Sequence, residues 1–337
     1  MPDATGPMLC FGELLLRLSA PGRSALFQYP TLDACFGGAE ANVAVALSRI
    51  GTPAKVVSRV PDDAIGDAVI DHLRRGGVDA SSVQAVPGRL GTYYLAPGAG
   101  PRAAAVIYDR ENSVFAAAGP EDFDWPTLLA NARGLHMSGI TPALGPNSAA
   151  LALAAARAAG EAGVPVSFDG NYRARLWERW GGEPRKVLHA LVSETTILFG
   201  NHRDIALLLG GEFSGDGPER RREAAEAAFA AFPRLRYIAS TARHAEDAEL
   251  HRLSARIDAR DGSFQTDEVE IAGIVDRIGT GDAFAAGVLH ALGEGLEAAA
   301  ETGLALAVLK HGTPGDVSFT GPRELAAFRA GGRDVRR

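Results

Sequence analysis

Val275-Asp276-Arg277-Ile278-Gly279-Thr280-Gly281-Asp282-Ala283-Phe284-Ala285-Ala286-Gly287 reads as a strand end, a turn and the start of a helix. Upstream, Val269 to Val275 alternates apolar residues with acids, the period of a strand. Downstream, small residues open a helix. The two glycines between them place the amides of Gly279, Thr280 and Gly281 at a helix N-terminus. Unpaired N–H groups and the positive end of the helix dipole favour an anion there. Asp282 stands at the same point, either as a cap on its own turn or as a carboxylate that reaches a substrate hydroxyl. The amides beside it stabilise its ionised form.

Working outward, the rest of the chain supplies more units of this kind. From residue 134 strands and helices alternate. Gly134 to Ile140 and Val164 to Phe168 read as strands around a helix at Asn147 to Ala162, and Thr196 to Phe199 and Tyr237 to Ser240 read as further strands. Helices are expected at 187–192, 203–209 and 219–231. Such alternation implies an α/β fold with a mostly parallel sheet covered on both faces. In these sheets ligands bind beyond the carboxyl ends of the strands. Asn171 and Arg173 follow one strand, Asn201 another, and the 279–282 turn a third, so a single rim site is expected.

The N-terminal half adds two features. Met8 to Leu16 reads as one buried strand, and Phe36-Gly37-Gly38-Ala39-Glu40-Ala41-Asn42 leads into a helix over Val43 to Ile50. A glycine pair before a helix lets backbone approach closely, and Asn42 on the first turn suits a group pointing into a cleft. Lys55 to Val60 is a strand, followed by a helix that ends near Gly76-Gly77. Residues 19–36 and 83–118 lack helical periodicity and carry short alternating runs, which predicts a small β-sheet lid bearing Tyr94, Tyr108 and Arg110. Residues 241–267 crowd Arg243, His244, Glu246, Asp247, Glu249, His251 and Arg252 into a window without metal-ligand spacing, and read as a solvated loop. A helix at Leu304 to Lys310 precedes the glycine-rich loop His311 to Asp316, in which Asp316 reads as an exposed acid.

Composition removes several classes of function. The chain has 337 residues, 46% of them hydrophobic, and a net charge of −7, so it offers no basic footprint for nucleic acid or anionic lipid. No apolar run approaches the ~20 residues that span a bilayer. Met8 to Leu18 carries Glu13 and Arg17 with no basic segment before it, and suits a strand better than a signal peptide. Cys10 and Cys35 alone make no disulfide framework, and a reduced, cytoplasmic protein is expected. Neither a Gly-x-x-x-x-Gly-Lys-Ser/Thr loop nor a Gly-x-Gly-x-x-Gly after the first strand is present, nor a Gly-x-Ser-x-Gly elbow. What remains is an anion cradle edged by a carboxylate, with two arginines and two asparagines near it. That set suits phosphoryl transfer.

Two motifs carry a family resemblance over nearly the whole chain: Gly37-Gly38-Ala39-Glu40-Ala41-Asn42 and Asp276-Arg277-Ile278-Gly279-Thr280-Gly281-Asp282-Ala283-Phe284. On these the sequence resembles the ribokinase-like (PfkB) carbohydrate kinases, and within them the kinases of 2-keto-3-deoxygluconate. The resemblance implies a single Rossmann-like three-layer αβα domain (1–337) with a β-lid, ATP and Mg²⁺ as cofactors, K⁺ as a further candidate, and a sugar hydroxyl activated by Asp282 over Gly279, Thr280 and Gly281. It assigns Gly38, Asn42, Tyr94, Tyr108, Arg110, Arg173 and Asp316 to the sugar acid. Asn171, Asn201, Ser240, Gly279 and Gly281 go to the nucleotide, and Asp204 goes to Mg²⁺ through water. A homodimer through lid strands also fits. Two departures stand out: Asn201-His202-Arg203-Asp204 has Asp where the family has Glu, and Ser240-Thr241-Ala242-Arg243-His244 replaces a glycine-containing ATP loop. Two rival readings are a kinase for fructose, ribose or a nucleoside, and a sugar-acid-binding regulator that has lost catalysis.

Overall fold

The computed structural model describes residues 6–246 and 250–331. In chain order the N-terminal half contains β1 (Met8–Phe11), β2 (Leu15–Ser19), β3 (Asp33–Gly37), α1 (Ala39–Arg49), β4 (Ala54–Pro61), α2 (Ala64–Arg75) and β5 (Asp79–Val86). Next come β6 (Gly91–Ala96), β7 (Ala105–Asp109), α3 (Trp125–Leu129), β8 (Gly134–Ser138), α4 (Ile140–Ala143) and α5 (Pro146–Glu161). The second half holds β9 (Val166–Asp169), α6 (Ala174–Glu178), α7 (Pro184–Val192), β10 (Ile197–Phe199), α8 (His202–Leu209) and α9 (Gly217–Ala231). It ends with β11 (Tyr237–Ala245), β12 (Leu250–Ala259), β13 (Gly262–Gln265), β14 (Val269–Ala272), α10 (Thr280–Ala291), α11 (Leu296–His311) and α12 (Pro322–Arg329).

Ten strands form the large sheet, in the order β13-β12-β11-β10-β9-β8-β1-β4-β5 with β14 also on β12. From β5 to β11 every neighbour is parallel. Strands such as β8, buried at all five positions, are apolar on both faces because helices cover both. One core packs α1, α10 and α11 on one face through residues such as Val45, Leu47, Ala285 and Ala300. The other packs α5, α7 and α9 through Leu151, Ala155, Leu191 and Phe229. This is the three-layer αβα arrangement expected, and β3-β2-β6-β7 is the second, small sheet.

Three expectations change. Met8 to Leu16 is not one strand: β1 lies in the large sheet and β2 in the small one, so the chain changes sheets across Gly12-Glu13-Leu14. Residues 83–86, expected in the lid, belong to β5 at the edge of the large sheet. The window expected as a solvated loop is mostly a hairpin, β11 paired antiparallel with β12 from Tyr237↔Ala259 to Ala245↔His251. Arg243, His244, Glu246 and Arg252 hid the strands because they are exposed on the hairpin and break its apolar pattern. Arg256 and Asp258 are both buried and joined by two 2.8 Å bonds. Asp247 and Glu249 lie outside the described residues.

Candidate active site

Gly279 caps α10 in the left-handed region, at φ 79. Glycine is required there twice over, because a Cβ would also collide with the carbonyl oxygen of Asp316. The turn therefore delivers the first amides of α10 to the rim of the sheet with Asp282 in the first turn. On the facing element Gly38 caps α1 at φ 146, pressed against the carbonyl of Glu13. The two motifs, 240 residues apart, meet directly: Asn42 Nδ2 donates to Asp282 Oδ2 at 2.7 Å.

Acids cluster below this contact. Burial pushes the Asp282 carboxyl well above the usual carboxylate range; the Asn42 bond opposes the shift, and Asp169, Glu40 and Asp316 reinforce it. This reverses the expectation that neighbouring amides would leave Asp282 readily ionised, since desolvation and like charge outweigh the helix terminus. Asp169 is pushed up to about 7 by burial and by Asp204, against the pull of Arg173 and the Asn171 amide. Asp204 and Glu40 are also raised, each first by burial. Glu40 Oε1 has no protein partner.

A cleft of about 880 Å³ runs from the cradle along the ends of β10 and β11, lined by Asn201, Arg203, Ser240, Arg243, Thr280 and Gly281 among others. Asn201 and Asp204 form a capping box on α8: the Asn201 amide donates to Asp204 Oδ2 and the Arg203 amide to Asn201 Oδ1, both at 2.8 Å. Arg243 is exposed at the cleft, with no acid partner among the described residues. Burial and the nearby Arg277 lower its pKa. Asn171 sits at positive φ just past β9, and Arg173 beside it is exposed, its Nη1 donating to the Tyr172 carbonyl at 3.3 Å.

The second sheet distributes the remaining residues differently from expectation. Tyr93 and Tyr108 are paired across β6 and β7, and Tyr94 pairs with Ile107 on the opposite face. Tyr93 turns inward and its hydroxyl donates to Asp316 Oδ2 at 2.6 Å, while Tyr94 packs against the exposed Phe27. Tyr94 and Tyr108 are thus not brought together. Arg110 is buried in an ion pair with Glu13, its Nε donating to Glu13 Oε2 at 2.7 Å. Asp316, expected as an exposed acid, is buried and held by Arg17. Sequence reasoning passed over Tyr93, Glu13 and Arg17. The signal existed, because Glu13 and Arg17 are charges inside an apolar strand run, and such charges are kept only when paired.

The pfkB family carbohydrate kinase pattern matches residues 8–320, and the chain belongs to that family. A 2-dehydro-3-deoxygalactonokinase of Haloferax volcanii is 33% identical over 330 residues, covering 97% of this chain and 98% of that one. The crystal structure of 2-dehydro-3-deoxygluconokinase from Thermotoga maritima superimposes with a TM-score of 0.91 at 35% identity, covering 96% and 98% of the two chains. A fructokinase of Xylella fastidiosa with bound ATP shares the fold at 19% identity, with a TM-score of 0.78 over 96% of this chain and 98% of that one. The protein is a carbohydrate kinase of ribokinase-like fold. No helix of the described residues is long and apolar enough to cross a membrane.

Proposed function

We propose that this kinase phosphorylates the terminal hydroxyl of 2-keto-3-deoxygluconate or its galactonate epimer, giving the 6-phosphate, with Asp282 as general base. The observation that carries the proposal is the placement of Asp282 beside the Gly279–Gly281 cradle, next to the cleft of about 880 Å³ that Thr280 and Gly281 line, with Asn42 on one of its oxygens. Bound there, ATP supplies the phosphoryl group and Mg²⁺ offsets its charge. The donor set fits both. The cleft presents arginines without acid partners to the phosphates, and Asp169 and Asp204 repel one another in a way a dication relieves. No three His, Cys, Asp or Glu side chains among the described residues form a direct cage, which favours Asp204 holding the ion through water.

In this scheme Asn42 holds Asp282 Oδ2, and Oδ1 takes the proton as the substrate oxygen attacks the terminal phosphorus and the bond to the leaving ADP breaks. The Gly279 to Gly281 amides meet the transferred group. Asn201, Ser240 and Arg243 line the nucleotide's path, and Asn171 stands at the same rim. Gly38 and Asn42 border the sugar. Arg173 is the cation for the substrate carboxylate, since Arg110 is already neutralised by Glu13. The Haloferax volcanii and Thermotoga maritima relatives, at 33% and 35% identity, act by name on a 2-dehydro-3-deoxy acid, which supports the substrate class. A homodimer through the outer face of the second sheet, where Ile107 and Phe27 are exposed, is part of the same proposal. Ile107→Asp is expected to give a monomer by sedimentation, and an unchanged mass would move the interface elsewhere.

The test is ADP release across keto-deoxy acids of both C4 configurations, neutral sugars and nucleosides. Turnover confined to the keto-deoxy acids, with a raised acid KM for Arg173→Met, is the expected pattern. Preferential turnover of fructose, ribose or a nucleoside would replace the substrate, and tight binding of the acid without turnover would leave only a regulatory role.

A further inference from the structure

A buried ionic cluster joins the second sheet to the phosphate cradle, and the chemistry above makes no use of it. Arg17 on β2 is 5% exposed. Its Nη2 lies 2.6 Å from Asp276 Oδ2 and its Nη1 2.8 Å from Asp316 Oδ1, while Nε donates to Ser19 Oγ at 2.6 Å. These two carboxylates frame the cradle. Asp276 accepts from the amides of Ile278 at 2.9 Å and Gly315 at 3.1 Å, tying the turn before Gly279 to the loop after α11. Asp316 takes the Tyr93 hydroxyl on its other oxygen, and its carbonyl fills the space a side chain at 279 would occupy. Lys310, fully buried in the last turn of α11, places a second cation beside that loop and donates to the Thr313 carbonyl at 3.0 Å.

The family resemblance put K⁺ among the candidate cofactors. A potassium ion beside the cradle would need oxygens from these loops, with carbonyl and carboxylate groups standing in for its hydration shell. The residues present do not fit it. Both carboxylates are bonded to one guanidinium, and a loop carbonyl is taken by the buried Lys310 ammonium. We propose that Arg17 is the permanent cation of the phosphate cradle, a positioning residue that stands in for a monovalent metal ion and fixes Gly279 to Gly281 for the nucleotide phosphates. The proposal rests on the cleft being the nucleotide site and is independent of which sugar acid is used.

The experiment measures Mg·ATP affinity by titration calorimetry, and turnover on the accepted acid, for the full chain. K⁺, Na⁺ or tetramethylammonium serves as the sole monovalent cation at equal ionic strength. Wild type is expected to vary by no more than about twofold among the three. Arg17→Lys, which keeps the charge and loses the fork, is expected to weaken nucleotide binding by about tenfold. Arg17→Gly is expected to lose more, and to regain affinity when guanidinium ion, but not tetramethylammonium, is added. Activation of wild type several-fold by K⁺ over tetramethylammonium overturns the proposal. So does wild-type nucleotide affinity in Arg17→Lys, for then the cluster only holds the fold. If Arg17→Gly does not fold, the wild-type ion series and Arg17→Lys still decide. If no keto-deoxy acid is turned over, the substrate assignment fails while the nucleotide titrations continue to test Arg17.

Discussion

Replacing Asn42 by leucine removes one hydrogen bond and keeps the branched shape of the side chain, so its effect on the base follows from that bond. Asn42 Nδ2 donates to Asp282 at 2.7 Å and opposes the other influences that raise this carboxyl, namely burial, Asp169, Glu40 and Asp316. A hydrogen bond to a charged group contributes about 1.5–3 kcal/mol. At about 1.36 kcal/mol per unit, its loss raises the Asp282 pKa by about 1–2 units. The base works only when ionised, so activity falls as pH drops through a pKa that is already raised. The acid limb of kcat should therefore move to higher pH by about 1–2 units in Asn42→Leu, costing about 10–100-fold on that limb and little at the alkaline plateau. Initial-rate profiles at saturating substrates report kcat alone, which separates this effect from any role of Asn42 in binding sugar. An unmoved limb, or one displaced to lower pH, would refute the coupling between the two motifs.

Arg110→Met leaves Glu13 buried without its partner and should destabilise the fold by about 3–5 kcal/mol; thermal melts check it, and an unchanged melt with a raised acid KM would return Arg110 to the substrate. Asp169 carries a pKa raised to about 7, so the folded state holds its proton more tightly than the unfolded chain, and the stability this confers is present at acid pH and lost as pH rises from about 4 through 7. Asp169→Asn should then be more stable than wild type by about 2–4 kcal/mol at pH ~8 without Mg²⁺, with the difference gone near pH ~4 in denaturant titrations. Arg243→Gln should raise the KM for ATP by about tenfold and leave the acid KM unchanged, because the arginine lines the nucleotide cleft and not the sugar side.

Much of the fold was legible because its signals are local. The strand–turn–helix at 275–287 and the glycine pair at 37–38 each require a backbone geometry that few residues permit, and both lie where their sequences place them. The pairing of Asn42 with Asp282 was half visible: each motif pointed to a cleft, but nothing local says that two motifs 240 residues apart share it. Long-range ion pairing hid the rest. Arg110 and Asp316 looked like free charges because their partners, Glu13 and Arg17, sit in an apolar run nearly a hundred or three hundred residues away. The β11–β12 hairpin was obscured instead by exposed charges on it, Arg243, His244, Glu246 and Arg252. Choosing Tyr94 over Tyr93 was a matter of strand register, which sequence alternation alone leaves open by one residue.

The central claim is that Asp282 removes the proton from a hydroxyl of a keto-deoxy sugar acid as the phosphoryl group moves past the Gly279–Gly281 cradle. Phosphorus NMR of the product from 2-keto-3-deoxygluconate and Mg·ATP, run in parallel with wild type and Asp282→Asn, tests it most directly. Wild type should yield a single phosphomonoester on the terminal carbon, and Asp282→Asn should form it at least ~10²–10⁴-fold more slowly with the acid KM nearly unchanged. Phosphorylation at another carbon, or an Asp282→Asn rate within a few-fold of wild type, would contradict it.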